Sequence, residues 1–401
     1  MFKKFFLLSA LVAFFAASCA PVNNPVLIDE AVQFDAEMLA LTPGQNTDKL
    51  NLAWYSDADG AKSVVRLFME SGELVKTEAG TSGEASAGKL WHKATLTDLV
   101  PGTSYKYSVS NDSIGWSKKY DYPAPAAGAF RFAMVGDPQL SAGESNLTAK
   151  FWKESVEKIA ESGASFILSA GDHVDNSGGD EAEYANLFTP LALRSIPIAP
   201  AKGNHDAHNL FEYHFNLPNE LREASANYFY LRNNVLFIAL NTSVYPDGKE
   251  KAEEYVAEFD DVIRAAKAAN AGKYDFVVVQ HHKSTRSVAS HVADADIELY
   301  VEAGFERLMA EHGVDLVVAG HDHIYVRSLV EGIVYLTLST ASGSKFYQPS
   351  ENADISSPIK YSQREIPEYT IVDVDGKSMT VKTYGLDGQL IDEFSLFSKK
   401  I

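Results

Sequence analysis

Five clusters of oxygen- and nitrogen-bearing side chains constrain this chain more than any other feature. They are Gly136-Asp-Pro-Gln139, Gly171-Asp-His-Val-Asp175, Gly203-Asn-His-Asp206, Gln280-His-His282 and Gly320-His-Asp-His323, and they stand where buried strands are expected to end. The apolar runs of this part are Phe130–Val135, Phe166–Ala170, Val235–Leu240, Phe276–Val279 and Leu316–Ala319. Runs that are apolar without alternation suit strands covered on both faces. Amphipathic segments at about 146–161, 181–193, 248–271 and 297–312 read as joining helices, so the fold class is α/β. Carboxyl ends of strands in such sheets face one crevice, where groups from Asp137 to His323 are expected to converge. The glycines let the chain turn sharply as it leaves the sheet.

The front of the chain has a different texture. Residues 30–122 hold short alternating segments, such as Leu50–Tyr55, Ser63–Phe68, Trp91–Leu96 and Tyr105–Val109, separated by turn residues. That is the pattern of a small antiparallel β-sandwich. Residues 123–129, Pro-Ala-Pro-Ala-Ala-Gly-Ala, read as a semi-rigid linker to a second domain over 130–401. Asp375-Gly376 and Asp387-Gly388 mark two hairpin turns that close the chain as a β-meander.

Residues 1–18 have a signal peptide's layout, with two lysines ahead of a short apolar run ending in small residues. Ala16-Ala17-Ser18-Cys19 resembles the lipobox of bacterial lipoproteins, although Leu is commoner at the position of Ala16. The resemblance implies lipidation at Cys19, a spacer over 19–29, and an exported protein held at a bacterial membrane. Cys19 is the sole cysteine, so no internal disulfide can form. A net charge of −19 disfavours nucleic acid as a main partner.

Carboxylate and amide oxygens mixed with imidazoles suit divalent or trivalent Fe, Mn, Zn or Co, and no thiolate is available for a softer metal. The number of donors fits two ions better than one. A carboxylate can bridge such a pair, and a water shared between them becomes a hydroxide near neutral pH, a nucleophile aimed at phosphorus.

The order of these motifs, D-x-H, G-D, G-N-H-D/E, H and G-H-x-H, resembles that of the calcineurin-like metallophosphoesterase superfamily, which includes the purple acid phosphatases. The similarity runs from residue 130 to about 398. Leu96-Thr-Asp-Leu-Val-Pro-Gly-Thr-Ser-Tyr-Lys-Tyr107 looks like the strand-turn-strand signature of fibronectin type III domains, with Trp54 placed as its core Trp. A sandwich ahead of a phosphoesterase is also the domain order of purple acid phosphatases. The resemblance implies a four-layer α/β/β/α domain behind a fibronectin-like sandwich.

It further implies that Asp137, Gln139, Asp172 and His323 hold a first metal, and Asp172, Asn204, His281 and His321 a second. His281 is preferred to His282 because the family's ligand stands two residues before a Pro, here Lys283. By the same resemblance Asn204 and His205 meet the phosphate of a small ester, His205 protonates the departing oxygen, and Asp206 orients and charges His205. The implied reaction is hydrolysis of a phosphomonoester. The alternatives are a phosphodiesterase for nucleotides or lipid headgroups, and a non-catalytic binding lipoprotein.

Two positions depart from the family. Gln139 stands where most members have His, which implies a more labile first metal. Asp175 stands where the purple enzymes have a metal-bound Tyr, which implies a colourless enzyme. Asp175 is expected to brace a ligand His or a loop amide, and His173 to line the crevice wall. Lys202, Lys283 and Arg286 stand close enough to the motifs to meet phosphate. His92, His208, His214, His291 and His312 have no supporting cluster in the sequence.

Overall fold

The computed structural model describes residues 33–57, 63–110, 115–143, 147–206 and 209–399. The leader, the spacer, Cys19 and His208 lie outside them. Among the described residues no helix is long and apolar enough to cross a membrane.

The front part is a two-sheet sandwich. One sheet runs 33–34, 116–117, 104–110, 64–69, 74–79, with 120–123 also pairing to 104–110, and the other runs 37–43, 50–57, 89–96, 81–84. Alternation sends Leu52, Trp54, Leu67, Tyr107 and Val109 inward, where they are fully buried. His92 joins this core, stacked on Trp54 at 5.1 Å between centroids and held through both ring nitrogens by the Ser56 and Ser63 hydroxyls at 2.8 Å.

Two further sheets pack face to face behind it. The first has the order 198–200, 167–169, 130–135, 368–375, 378–385, 390–397, parallel on one side of 130–135 and antiparallel on the other. The second has the order 228–232, 235–239, 276–283, 316–320, 333–337, 325–330, 360–362. Phe132, Met134, Leu168, Phe237, Val278, Val318 and Val372 fill the space between them. Helix Leu147–Ser162 covers the outer face of the first sheet through Trp152, Val156 and Ile159, and helix Lys249–Ala269 that of the second through Phe259, Val262 and Ile263. The expected four layers are therefore present, and the two Asp-Gly turns join the last three strands.

Two helix expectations need correction. The segment expected as 297–312 is two helices, Ala295–Glu302 and Phe305–Glu311, because Gly304 adopts φ 97 and interrupts the ladder. The segment expected as 181–193 ends at Leu187, just ahead of Pro190, and continues as a 3₁₀ turn over Leu191–Arg194. A short helix at Leu210–His214 was not expected from the sequence.

The sandwich docks beside the stretch that carries Gly203–Asp206. Arg194 donates to the Leu39 carbonyl at 2.7 Å, Tyr107 donates to the Arg194 carbonyl at 2.7 Å, and Asn51 donates to the Asn216 carbonyl at 2.8 Å. Tyr55 stacks on His214, and both bond Glu181. His214 is thus an interface residue.

Candidate metal centre

The strands 130–135 and 167–169 of one sheet and 276–283 and 316–320 of the other run out at a shared edge, and the chain bends sharply at each exit. Asp137, Gln139, Asp172, His321 and His323 all take positive φ, between 40 and 72°. Such conformations cost side-chain-bearing residues about 1–3 kcal/mol each and persist only where surroundings enforce them. Here the His321 amide donates to both Asp137 carboxylate oxygens at 3.0 Å, and the His205 amide donates to Asp172 Oδ1 at 2.8 Å. Of the motif glycines Gly136, Gly171, Gly203 and Gly320, Gly171 alone has positive φ (101°). Gly203 and Gly320 are needed for close approach instead: a Cβ would collide with the Asp172 carboxylate at Gly203 and with that of Asp137 at Gly320.

The expectation for His281 is corrected by the geometry. The His281 ring packs edge-on against Phe305 at 5.0 Å, on the helix-covered face of its sheet. His282 is the ring that enters the crevice, with Nε2 3.0 Å from Asn204 Oδ1, 3.2 Å from Asp172 Oδ2 and 3.2 Å from His321 Nδ1. Its Nδ1 donates to the Ala170 carbonyl at 2.9 Å, which fixes the ring's orientation. Asp172, His282 and His321 offer ligand atoms within 4.8 Å of one another. The reason is the two-residue period of the strand. Val277 and Val279 lie in the helix-side core and Val278 in the core between the sheets, so residue 281 shares the first face and residue 282 the second.

Asp206 also departs from expectation. Its carboxylate bonds the buried His173 ring at 2.8 Å and accepts from the amides of His173 and Gly203 at 3.0 Å. Asp206 therefore pins the 203–206 turn to the 171–175 turn and makes no bond to His205. The His205 Nδ1 bonds the Asp175 main-chain carbonyl, leaving Nε2 3.9 Å from Asp172 Oδ2. His173 lies behind the crevice, its ring against Phe211 and Phe215.

Gln139 and Asp137 are both buried, with His323 Nε2 3.7 Å from Asp137 Oδ1 and the Ser344 hydroxyl 3.5 Å from Gln139 Oε1. Lys202, Lys283 and Arg286 are engaged elsewhere, by Glu212 at 2.5 Å, Asp296 and Glu306 respectively. Four residues to which the sequence gives no role stand at the mouth, among them His291, which has a supporting cluster after all. Asp294 Oδ2 lies 3.2 Å from His321 Nε2 and 2.8 Å from His291 Nδ1. The Tyr347 ring lies 5.0 Å from His323 and 5.8 Å from His291, and Lys345 Nζ lies 3.3 Å from Asp175 Oδ1. The signal for His291 and Asp294 is their helical spacing shortly after Gln280-His-His282; nothing in the sequence marks Lys345.

The electrostatics suit cations. Burial pushes Asp137 up to about 8, opposed by the His282 charge and reinforced by the Asp172 carboxylate. Burial also acts to raise Asp172, but the His282 imidazolium and the His205 amide hold it below the usual carboxylate range. His282 is pushed up to about 9 because Asp172 outweighs its desolvation. Burial pulls His323 down to about 3 and lowers His321 as well, so both rings present lone pairs. Two buried carboxylates thus share the compensation of one imidazolium, and divalent ions would complete that balance with the oxygen and nitrogen donors present.

Two known domain families match the chain. The calcineurin-like phosphoesterase model matches residues 130–325, and the purple acid phosphatase N-terminal domain model matches residues 36–122. The chain thus carries a calcineurin-like phosphoesterase domain behind a purple acid phosphatase N-terminal domain. Human acid phosphatase type 7 is 24% identical over 59% of this chain and 56% of its own length. Rat tartrate-resistant acid phosphatase type 5 is 25% identical over 68% of this chain and 91% of its own length. The chain thus spans little over half of one relative and nearly all of the other. A purple acid phosphatase from yellow lupin seeds shares the fold, with a TM-score of 0.71 at 15% identity over 90% of this chain and 74% of that one. Phosphoesterases of this family hydrolyse phosphate esters with a dinuclear metal centre, and the crevice of this one holds His and Asp groups able to bind metal.

Proposed function

We propose that this protein is an exported, lipid-anchored hydrolase of phosphate monoesters with two metal ions in the crevice. The observation that carries the reading is the convergence of Asp172, His282, His321 and Asn204 from four strand exits, with His205 beside them. Asp137, Gln139, Asp172 and His323 would hold the first ion, and Asp172, Asn204, His282 and His321 the second. When bound, such ions supply an activated water and neutralise charge developing on the phosphoryl group.

The chain's own groups then divide the remaining work. Asn204 and His205 meet the phosphate. The Asp175 carbonyl fixes Nδ1 of His205, so Nε2 faces the crevice, where it delivers a proton to the departing oxygen. Asp206 and His173 hold the turn that carries both residues at its place on the crevice wall. Asp294 holds His321 from the outer side, through Nε2, so that Nδ1 faces inward.

The acid-phosphatase names of its relatives favour a monoester over a diester. Protein stripped of metal and resupplied separately with Mn, Zn, Fe or Mg is the test, with Asp172→Ala as control. Metal-dependent turnover of an aryl phosphate monoester that the control lacks supports the reading. No turnover in protein shown to bind two ions overturns it. Anchoring at Cys19 is tested separately: Cys19→Ser should release the protein from the membrane fraction, and unchanged fractionation would discard the anchor.

A further inference from the structure

The loop after the strand 333–337 supplies a wall of the crevice that none of the metal-ligand motifs contains. Its Ser344 hydroxyl reaches Gln139 and the Asp137 carbonyl at 3.5 Å, and its Tyr347 ring packs near His323 and His291. Lys345 lies between these two residues, so its main chain is tied to the first-metal side of the crevice. Its ammonium is 3.3 Å from Asp175 Oδ1.

This cation differs from Lys202 and Lys283 in how firmly it is held. Lys202 and Lys283 are sequestered, with side chains 12% and 11% exposed. Lys345 and Asp175 are 36% and 41% exposed, so their pair stands in water. Exposed ion pairs are weak and readily exchanged. The carbonyl of the same Asp175 orients His205, so the Lys345 pair stands beside the proposed proton donor at the rim of the crevice. A phosphate oxygen there would compete with the Asp175 carboxylate for the ammonium on favourable terms, because a dianion attracts it more strongly than a monoanion.

We propose that Lys345 is a specificity residue that leaves Asp175 to bind the phosphoryl group, and that its charge selects dianionic monoesters over monoanionic diesters. The inference rests on the phosphoester hydrolase reading above. At pH 8, well above its second pKa of about 6, a phosphate monoester carries close to two charges, while a diester carries one. Removing one fixed cation therefore weakens the monoester more. Asp175 acts as the counter-ion that holds the ammonium at the rim until substrate arrives.

The test uses metal-loaded full-length protein at pH 8, comparing 4-nitrophenyl phosphate with methyl 4-nitrophenyl phosphate, which share a leaving group. Inorganic phosphate binding is measured by titration calorimetry, and metal content by elemental analysis. Lys345→Met should lower kcat/KM for the monoester and phosphate affinity by about tenfold to a hundredfold, the diester by less than about threefold, with metal content unchanged. Lys345→Arg should recover most of the loss. Asp175→Asn, which keeps the carbonyl that holds His205, should tighten phosphate binding several-fold. Equal losses on both esters, unchanged phosphate affinity, or loss of metal in Lys345→Met would overturn the proposal. If the wild type cleaves neither ester, the hydrolase reading fails, and the phosphate titration still decides whether Lys345 binds the anion.

Discussion

His282 Nε2 lies 3.2 Å from Asp172 Oδ2, whereas the ring of its neighbour His281 turns to the opposite face of the same strand and packs on Phe305. Adjacent residues of one type therefore take unrelated jobs. His282→Asn should remove metal and lower turnover on the order of a hundredfold or more. His281→Gln should keep turnover within a few-fold and lower the thermal midpoint, because a packed buried ring is lost. Elemental analysis and steady-state kinetics on the two variants check this, and the reverse result would restore His281 as the ligand.

Asp206 and His205 should separate kinetically. Asp206 is fully enclosed and accepts from His173 and Gly203, and leaving a buried donor without its acceptor costs about 1–3 kcal/mol. Asp206→Asn should thus be destabilised, with unaltered dependence of kcat on leaving-group basicity. His205→Gln should fold normally and lose most activity on esters with poor leaving groups, where protonation matters most. A series of aryl and alkyl phosphates measures that dependence.

Metal should stabilise the folded chain. Ions that bind the native crevice and not the unfolded chain add ~2.7 kcal/mol at a hundredfold excess over Kd. Chelation should lower the thermal midpoint by about 5 °C or more. Asp172→Ala should be insensitive to chelator, since its carboxylate is expected to serve both ions.

Iron-loaded protein should lack the visible band of a tyrosinate ligand, because Asp175 occupies the relevant place and is paired with Lys345. An absorption spectrum decides this. Should colour appear, Tyr347, whose ring lies 5.0 Å from His323, is the phenol to replace by Phe.

The sandwich should lose stability in acid through His92. Burial pulls its imidazole down to about 4, below the unfolded value of about 6.5. A histidine depressed in this direction contributes stability that is complete above pH 6.5 and lost as pH falls toward 4. The contribution is about 1–3 kcal/mol. His92→Gln should be less stable than wild type at pH 7, with the gap closing between pH 6.5 and 4; a gap constant with pH would contradict it.

Much of the architecture is legible in the chain itself. Alternation in 30–122 against unbroken apolar runs after 130 separates a sandwich with wet faces from strands covered on both sides, and the five clusters mark where those strands end. Asp137, Gln139, Asp172, Asn204, His205, His321 and His323 all stand at the crevice as their strand-exit positions imply. The sequence also carries the oxygen and nitrogen donor chemistry of the site, because residue identity alone sets which atoms can bind metal.

Tertiary structure decided the direction and partnership of each group. Two adjacent histidines are chemically alike, and only the face that the strand presents to the second sheet assigns His282 to the crevice. Asp206 and His205 are neighbours in sequence, yet the carboxylate turns back onto His173, and Asp175 takes over the fixing of His205. Lys202, Lys283 and Arg286 are withdrawn by acids 10, 13 and 20 residues away, while Lys345 arrives from 170 residues beyond Asp175. Composition and local period fix what a segment can be; which charges meet depends on chain separations that folding alone closes.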